Sequence, residues 1–158
     1  MTNPLDPLDL ALIDHLRREP RAAITRLARL TGVARGTVQT RLQRLEETGV
    51  IRGFGPEVDA PSVGYGVLAF ATLSIAQGAH DRTIDQLERI PELIEVHTVT
   101  GSGDLFCRIV ARSNDHLHEI IQQVVSVPEV TRSETFLALA SPVQRRIADL
   151  VAGGTTTG

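Results

Sequence analysis

Residues 22–49, AAITRLARLTGVARGTVQTRLQRLEETG, hold two apolar-striped segments parted by a single glycine. In the first, Ile24, Leu27, Ala28 and Leu30 are placed to face inward. In the second, over 34–48, Val38, Leu42 and Leu45 recur at i, i+4 and i+7, the signature of one buried helix face. Gly32 supplies a turn conformation that other residues resist, and Gly49 is placed to end the second helix as a C-terminal cap. A third helix precedes them. In residues 8–18, LDLALIDHLRR, the residues Leu8, Ala11, Leu12 and Leu16 share a face. Asp6 or Asp9 can cap it, Pro7 suits its first turn, and Glu19-Pro20 stops it. Three short helices with a tight turn between the second and third form the helix-turn-helix pattern.

That pattern makes a demand on charge. If Val38, Leu42 and Leu45 dock inward, a rotation of about 100° per residue turns Gly36, Thr40 and Gln43 outward, with Thr37, Arg41 and Arg44 beside them. A glycine on the outer face of a helix costs about 1 kcal/mol relative to alanine, and close approach to a DNA backbone would compensate. Arg35 and Thr37, near the helix start, are best placed for base edges or phosphates. Arginine can pair with guanine and glutamine with adenine. Arg41 and Arg44, and Arg26 and Arg29 on the second helix, are expected on phosphates. The charge distribution agrees. The chain carries a net charge of −3, yet residues 1–53 hold nine arginines against six acids, and the remainder holds seven against thirteen. A basic first third points to a polyanion partner. Every cation is an arginine, because lysine is absent.

Beyond residue 64 the pattern changes. Residues 50–64 are punctuated by Gly and Pro and read as a connection. Strands are expected over 65–76, 93–100, 105–112 and 130–139, and helices over 80–90 and 114–126. The first helix turns Ile84, Leu87 and Ile90 inward. The second is opened by Asn114 or Asp115 and turns Leu117, Ile120, Ile121, Val124 and Val125 inward. The order β-α-β-β-α-β describes a ferredoxin-like unit with both helices on one sheet face. The other face also carries apolar residues, including Leu68 or Ala69 and Phe136 or Leu137, so a homodimer is expected. The tail GGTTTG is expected to be disordered.

Several function classes are excluded or left weak. No apolar run reaches the roughly 18 residues of a membrane span, the N-terminus lacks the layout of a signal peptide, and a cytoplasmic location is expected. Cys107, the single cysteine, reads as buried and inert. His116 and His118 do not share a helix face, so no metal site is expected. His80 precedes Asp81, and His97 in its strand reads as packed or hydrogen-bonded. No phosphate loop, nucleophile elbow or paired-cysteine site occurs, so neither a cofactor nor catalysis is expected. The alternative is an oligomeric ligand-binding module whose helical domain grips a protein rather than DNA.

LDLALIDHLRREPR, LARLTGVARGTVQTRLQRLEETGVIRGF and VTGSGDLFCRI together resemble the Lrp/AsnC, or feast/famine, family of transcription regulators, from about Leu8 to Leu139. The resemblance implies an α+β chain. A winged helix-turn-helix domain (1–53) is joined by a hinge (54–64) to a ferredoxin-like βαββαβ sensing and oligomerisation domain (65–142), followed by a C-terminal tail (143–158). It also implies dimers joined through the sensor sheets, further assembly of dimers, and an amino-acid effector bound where dimers meet. Members carry a Gly-x-x-Asp turn, here Gly101-Ser102-Gly103-Asp104. Asp104 would take the ammonium of a zwitterion and the glycine-rich backbone its carboxylate, with Thr98, Thr100 and Thr135 adding hydroxyls. The residues around the Asp depart from the family: Gly103 and Leu105 stand where aromatic residues are usual.

Overall fold

The computed structural model describes residues 5–153. It divides into two compact units, one comprising the residues up to Pro56 together with those from Val143 onward, the other Glu57–Pro142.

The first unit is helical. Helix α1 spans Pro7–Arg18, α2 Ile24–Thr31 and α3 Arg35–Glu47. Both candidate caps of α1 are used. The Asp6 carboxylate accepts from the Asp9 N–H at 3.0 Å, and the Asp9 carboxylate accepts from the Asp6 N–H at 3.1 Å. This is a capping box with Asp in place of the usual Glu or Gln. Between α2 and α3, Gly32 adopts φ +70° and its N–H returns to the carbonyl of Ala28. After α3, Gly49 adopts φ +72°. Leu12, Leu27, Ala28, Val38 and Leu42 form the core, with Leu8, Leu16, Ala22, Val33 and Ile51 packed against it. Two expected core residues lie outside it: Ile24 and Leu30 are exposed. Helix α2 has eight residues, and its inward face is filled by Leu27 and Ala28.

Part of the segment expected as a tail is helical. Ile147–Gly153 form a further helix, α6, which packs on α1. Arg17 reaches Asp149 across that contact at 3.5 Å. The periodicity of so short a segment is weak, and its anchor is an ion pair to a distant residue. Most of the GGTTTG stretch lies outside the described residues. Among the described residues no strand pairing follows Gly49 within this unit, so the expected wing is an extended segment here.

The second unit is a four-stranded antiparallel sheet, order β2-β3-β1-β4. Its strands are β1 Val67–Ile75, β2 Leu93–Thr98, β3 Leu105–Ala111 and β4 Val130–Leu137. Helices α4 (His80–Leu87) and α5 (Asn114–Val125) cover one face. The period-2 alternation sorts the side chains. Ala69, Ala71, Leu73, Leu105, Cys107, Ile109 and Ala111 pack with Leu87, Ile90, Leu117, Ile120 and Val124. The opposite set is partly exposed: Leu68 pairs with the buried Val110, and Phe70 lies between Arg108 and the exposed Phe136. The rings of Phe70 and Phe106 stack with centroids 5.6 Å apart. Leu68 and Phe136, rather than Ala69 and Leu137, therefore face away from the helices. Ser113, not Asn114 or Asp115, caps α5, its hydroxyl accepting from the His116 N–H. Val125, expected inward, is exposed at the last turn of α5. Helix α4 stops three residues early, yet Ile90 stays buried because its N–H returns to the Leu87 carbonyl.

Candidate DNA-binding helix and effector turn

Val38, Leu42 and Leu45 anchor α3 in the helical unit. Gly36, Thr37, Thr40 and Gln43 are exposed, as the helical rotation requires. Gly36 has open space where a Cβ would stand, so nothing within the unit calls for a glycine. Gln43 donates to the Glu47 carboxylate at 2.7 Å. Helices α2 and α3 both begin at an alanine, Ala23 and Ala34, with no side-chain cap on their first N–H groups. Arg35 is exposed in the first turn of α3. Arg29 on α2 and, outside the helices, Arg21 and Arg52 are also exposed, and among the described residues none of the four has an ion-pair partner.

Arg41 and Arg44 do otherwise. Both turn back to the first turn of α1, where the fully buried Asp9 carboxylate lies between them. Arg44 binds one Asp9 oxygen; Arg41 reaches the other at 3.3 Å and also pairs with Asp6. Both guanidinia, expected on phosphates, are thus engaged by carboxylates of α1. Both residues flank the apolar stripe, and long side chains at a flank can reach inward as readily as outward. Arg26 pairs with Glu19 at the surface. Arg21 and Arg52 were counted in the charge of the segment but not placed. Their one signal in the sequence is membership of the basic first third.

In the sheet unit, the turn 101–104 is fastened to β1. The Asp104 N–H donates to the Leu73 carbonyl and its carboxylate accepts from the Ile75 N–H, both at 2.8 Å. Gly103 fits for steric reasons: a Cβ there would lie 2.2 Å from Thr72 Cγ2 and 3.1 Å from the Leu73 carbonyl oxygen. Gly101 has φ +128°. The hydroxyl of Thr98 is 2.7 Å from Nε2 of His80, at the start of α4. Thr100 is exposed. Thr135 does not join this group. It pairs with Ala71 in mid-sheet, whereas Leu73, beside the turn, pairs with Ser133. The assumed end of β4 was the wrong one; antiparallel pairing brings Thr131 toward the turn, its hydroxyl donating to the Ser74 carbonyl at 3.1 Å. His80 was missed, because a histidine next to an aspartate carries no spacing signal. Cys107 is buried, and burial pushes its thiol up to about 11, which keeps it unreactive. Among the described residues no cluster of His, Cys, Asp or Glu could hold a metal ion, and no helix is long and apolar enough to cross a membrane.

Comparison with known proteins agrees with both units. Residues 5–52 match the winged helix-turn-helix DNA-binding family, and residues 68–148 match the Lrp/AsnC ligand binding domain. The chain belongs to the Lrp/AsnC family of transcription regulators. It is 30% identical to the HTH-type transcriptional regulator FL11 of Pyrococcus horikoshii, over 88% of this chain and 92% of that protein. It is likewise 30% identical to the regulatory protein AsnC of Escherichia coli, over 90% and 95%. The structure of E. coli AsnC superposes with a TM-score of 0.86 at 27% identity, covering 92% of this chain and 99% of that one. A transcriptional regulator from Neisseria meningitidis, solved as a complex with L-Met, shares the fold with a TM-score of 0.81 at 20% identity, covering 92% and 96%.

Proposed function

We propose that the chain works as a homodimer, or an assembly of dimers, that docks the exposed face of α3 in the major groove and adjusts its binding to a small amino acid. The observation that carries this reading is the exposed α3 face, Arg35, Gly36, Thr37, Thr40 and Gln43, beside a set of arginines without acid partners among the described residues. Arg35 stands at an uncapped helix start, where free N–H groups and a guanidinium together suit a phosphate. Arg29, Arg21 and Arg52 are the remaining phosphate candidates. Two copies would set two α3 helices about 34 Å apart for half-sites one turn apart. The open sheet face supports the dimer. Leu68, Phe70, Phe106 and Phe136 offer an apolar centre, and Arg108, Glu95 and Glu134 a charged rim. Arg108, and then His97, hold the Glu95 carboxyl below the ordinary range, so that rim stays charged. The effector reading rests on the turn 101–104. One Asp104 oxygen takes the Ile75 N–H, and the other has no partner among the described residues, leaving it for an ammonium. Thr98 and His80 stand beside it in the reading, in place of Thr135. A regulator of this kind works in the cytoplasm.

The test is fluorescence anisotropy with the DNA upstream of the protein's own gene and a random duplex, over a salt series, with and without a pool of amino acids. Tight binding, a steep salt slope and a shift with the pool are expected. Equal, shallow binding to both duplexes would favour a helical unit that grips a protein partner.

A further inference from the structure

We propose that Asp9 is the positioning residue of the recognition helix, and that Arg41 and Arg44 serve it rather than the DNA phosphates. The inference rests on the reading that α3 enters the groove.

Asp9 is 0% exposed, whereas Arg41 and Arg44 retain 30% and 34%. Its two oxygens receive the Asp6 N–H and Arg44 on one side and Arg41 on the other. No buried side-chain polar atom lacks a partner among the described residues. Without Arg41 one oxygen loses its donor, and without Arg44 the other keeps only the neutral Asp6 N–H. Removing either would leave a buried charge short of a partner, which costs more than a solvent-exposed phosphate contact returns.

The geometry explains what is gained. Val38, Leu42 and Leu45 hold α3 by apolar packing, whose driving force is non-directional. Charge-assisted hydrogen bonds are directional. Arg41 and Arg44 lie three residues apart on one flank of α3, so they tie it to α1 at two heights. The capping box fixes the other end: Asp9 cannot swing without giving up the Asp6 N–H. Two ties on one flank set both the roll and the tilt of α3, and with them the aim of Thr37, Thr40 and Gln43. Bidentate base contacts need that aim; phosphate contacts tolerate more.

The experiment uses the full chain and a duplex selected by the wild-type protein from a randomised library, with a scrambled duplex as reference. Asp9→Asn, Arg44→Gln, their double variant and Arg35→Gln are titrated by anisotropy across a salt series, each well below its melting temperature. Asp9→Asn and Arg44→Gln are expected to lose about tenfold in affinity for the selected duplex. Their scrambled-duplex affinity and salt slope should stay as in wild type, and the double variant should be no worse than either single. Arg35→Gln is expected to reduce the salt slope by about one. A structural weakening alone would leave the ratio of the two affinities unchanged in the folded fraction, and that result overturns the proposal. So does a slope reduced by about one in Arg44→Gln, which puts Arg44 on a phosphate, or tighter binding of both duplexes by Asp9→Asn, which makes the carboxylate a competitor of DNA. If Asp9→Asn fails to fold, Arg44→Lys replaces it. Keeping the charge but losing the planar guanidinium that aims it, it should fall between wild type and Arg44→Gln; full activity would overturn the proposal. Wild type that selects no sequence sinks the DNA reading, and this proposal with it, before any variant is compared.

Discussion

Asp9 and Asp104 both fasten a backbone N–H, and there the likeness ends. Asp9 lies buried at the first turn of α1 with both oxygens engaged by donors inside the unit. Asp104 is exposed at a hairpin, with one oxygen on the Ile75 N–H and the other without a partner among the described residues. A carboxylate of the first kind holds a structure, because its charge has nowhere else to go. One of the second kind can still receive a visitor. The helical unit therefore hides one acid, Asp9, beneath two arginines, while the turn of the sheet unit exposes one.

The largest break in this comparison is expected at Asp9. Asp9→Ala leaves Arg41, Arg44 and the Asp6 N–H without their shared partner, and breaking a buried pair from one side costs about 3 kcal/mol. Asp104→Ala removes one exposed hydrogen bond and should cost about 1 kcal/mol. Chemical denaturation of the two variants side by side checks the ranking. Equal costs would mean that burial does not separate the two roles. In ligand titration the order should reverse: Asp104→Ala should lose any response to amino acids that the wild type shows, and a retained response would remove Asp104 from the effector reading.

The next effect concerns two glycines that do different work. Gly103 stands where a Cβ would collide with Thr72 Cγ2 and crowd the Leu73 carbonyl. Gly103→Ala should cost about 2 kcal/mol as an overpacking change, and adding Thr72→Ser, which removes the methyl, should restore most of it. Gly32 has nothing within 4 Å of its missing Cβ but sits at φ +70°. Gly32→Ala should cost about 1 kcal/mol through backbone conformation alone, with no second-site methyl to remove. If Thr72→Ser leaves Gly103→Ala unchanged, the limit at Gly103 is the carbonyl of Leu73 instead.

Much of this was readable from the chain. The three helices of the first unit, the strand and helix order of the second, the turns at Gly32 and Gly49, and the Gly101–Asp104 hairpin all follow from period and turn chemistry. What escaped has one physical cause. Periodicity gives the azimuth of a Cα but not the destination of a long side chain, so Arg41 and Arg44 were placed by their helix and not by Asp9, more than thirty residues away. Thr135 was assigned to the wrong end of β4 because register depends on pairing, which one strand alone does not reveal. Helix α6 was invisible because a seven-residue segment with three strong apolar positions looks like a tail until α1 is there to receive it. Ile24, Leu30 and Val125 lie at or near helix ends, where the apolar stripe outruns the neighbour that would bury it.

The smallest expected effect separates Asp6 from Asp9 within their own capping box. The Asp9 N–H, and then the Arg41 guanidinium, hold the Asp6 carboxyl below its ordinary value. A lowered folded pKa means that the carboxylate stabilises the fold at pH values above the unfolded aspartate range, about 3.9. That contribution fades as pH falls toward and through the lower folded value. Asp6→Asn keeps the cap, since asparagine caps as well as aspartate, and removes only the charge. Asp59 and Glu95 are also held low, so the acid melting of either protein alone reports many groups. Their difference isolates one. Melting temperatures of wild type and Asp6→Asn, measured from pH 6 down to pH 2, should differ most at the upper end and converge as Asp6 takes up its proton. A gap that stays constant across that range would mean that Asp6 acts through its cap alone, leaving the charge on α1 that α3 feels to Asp9.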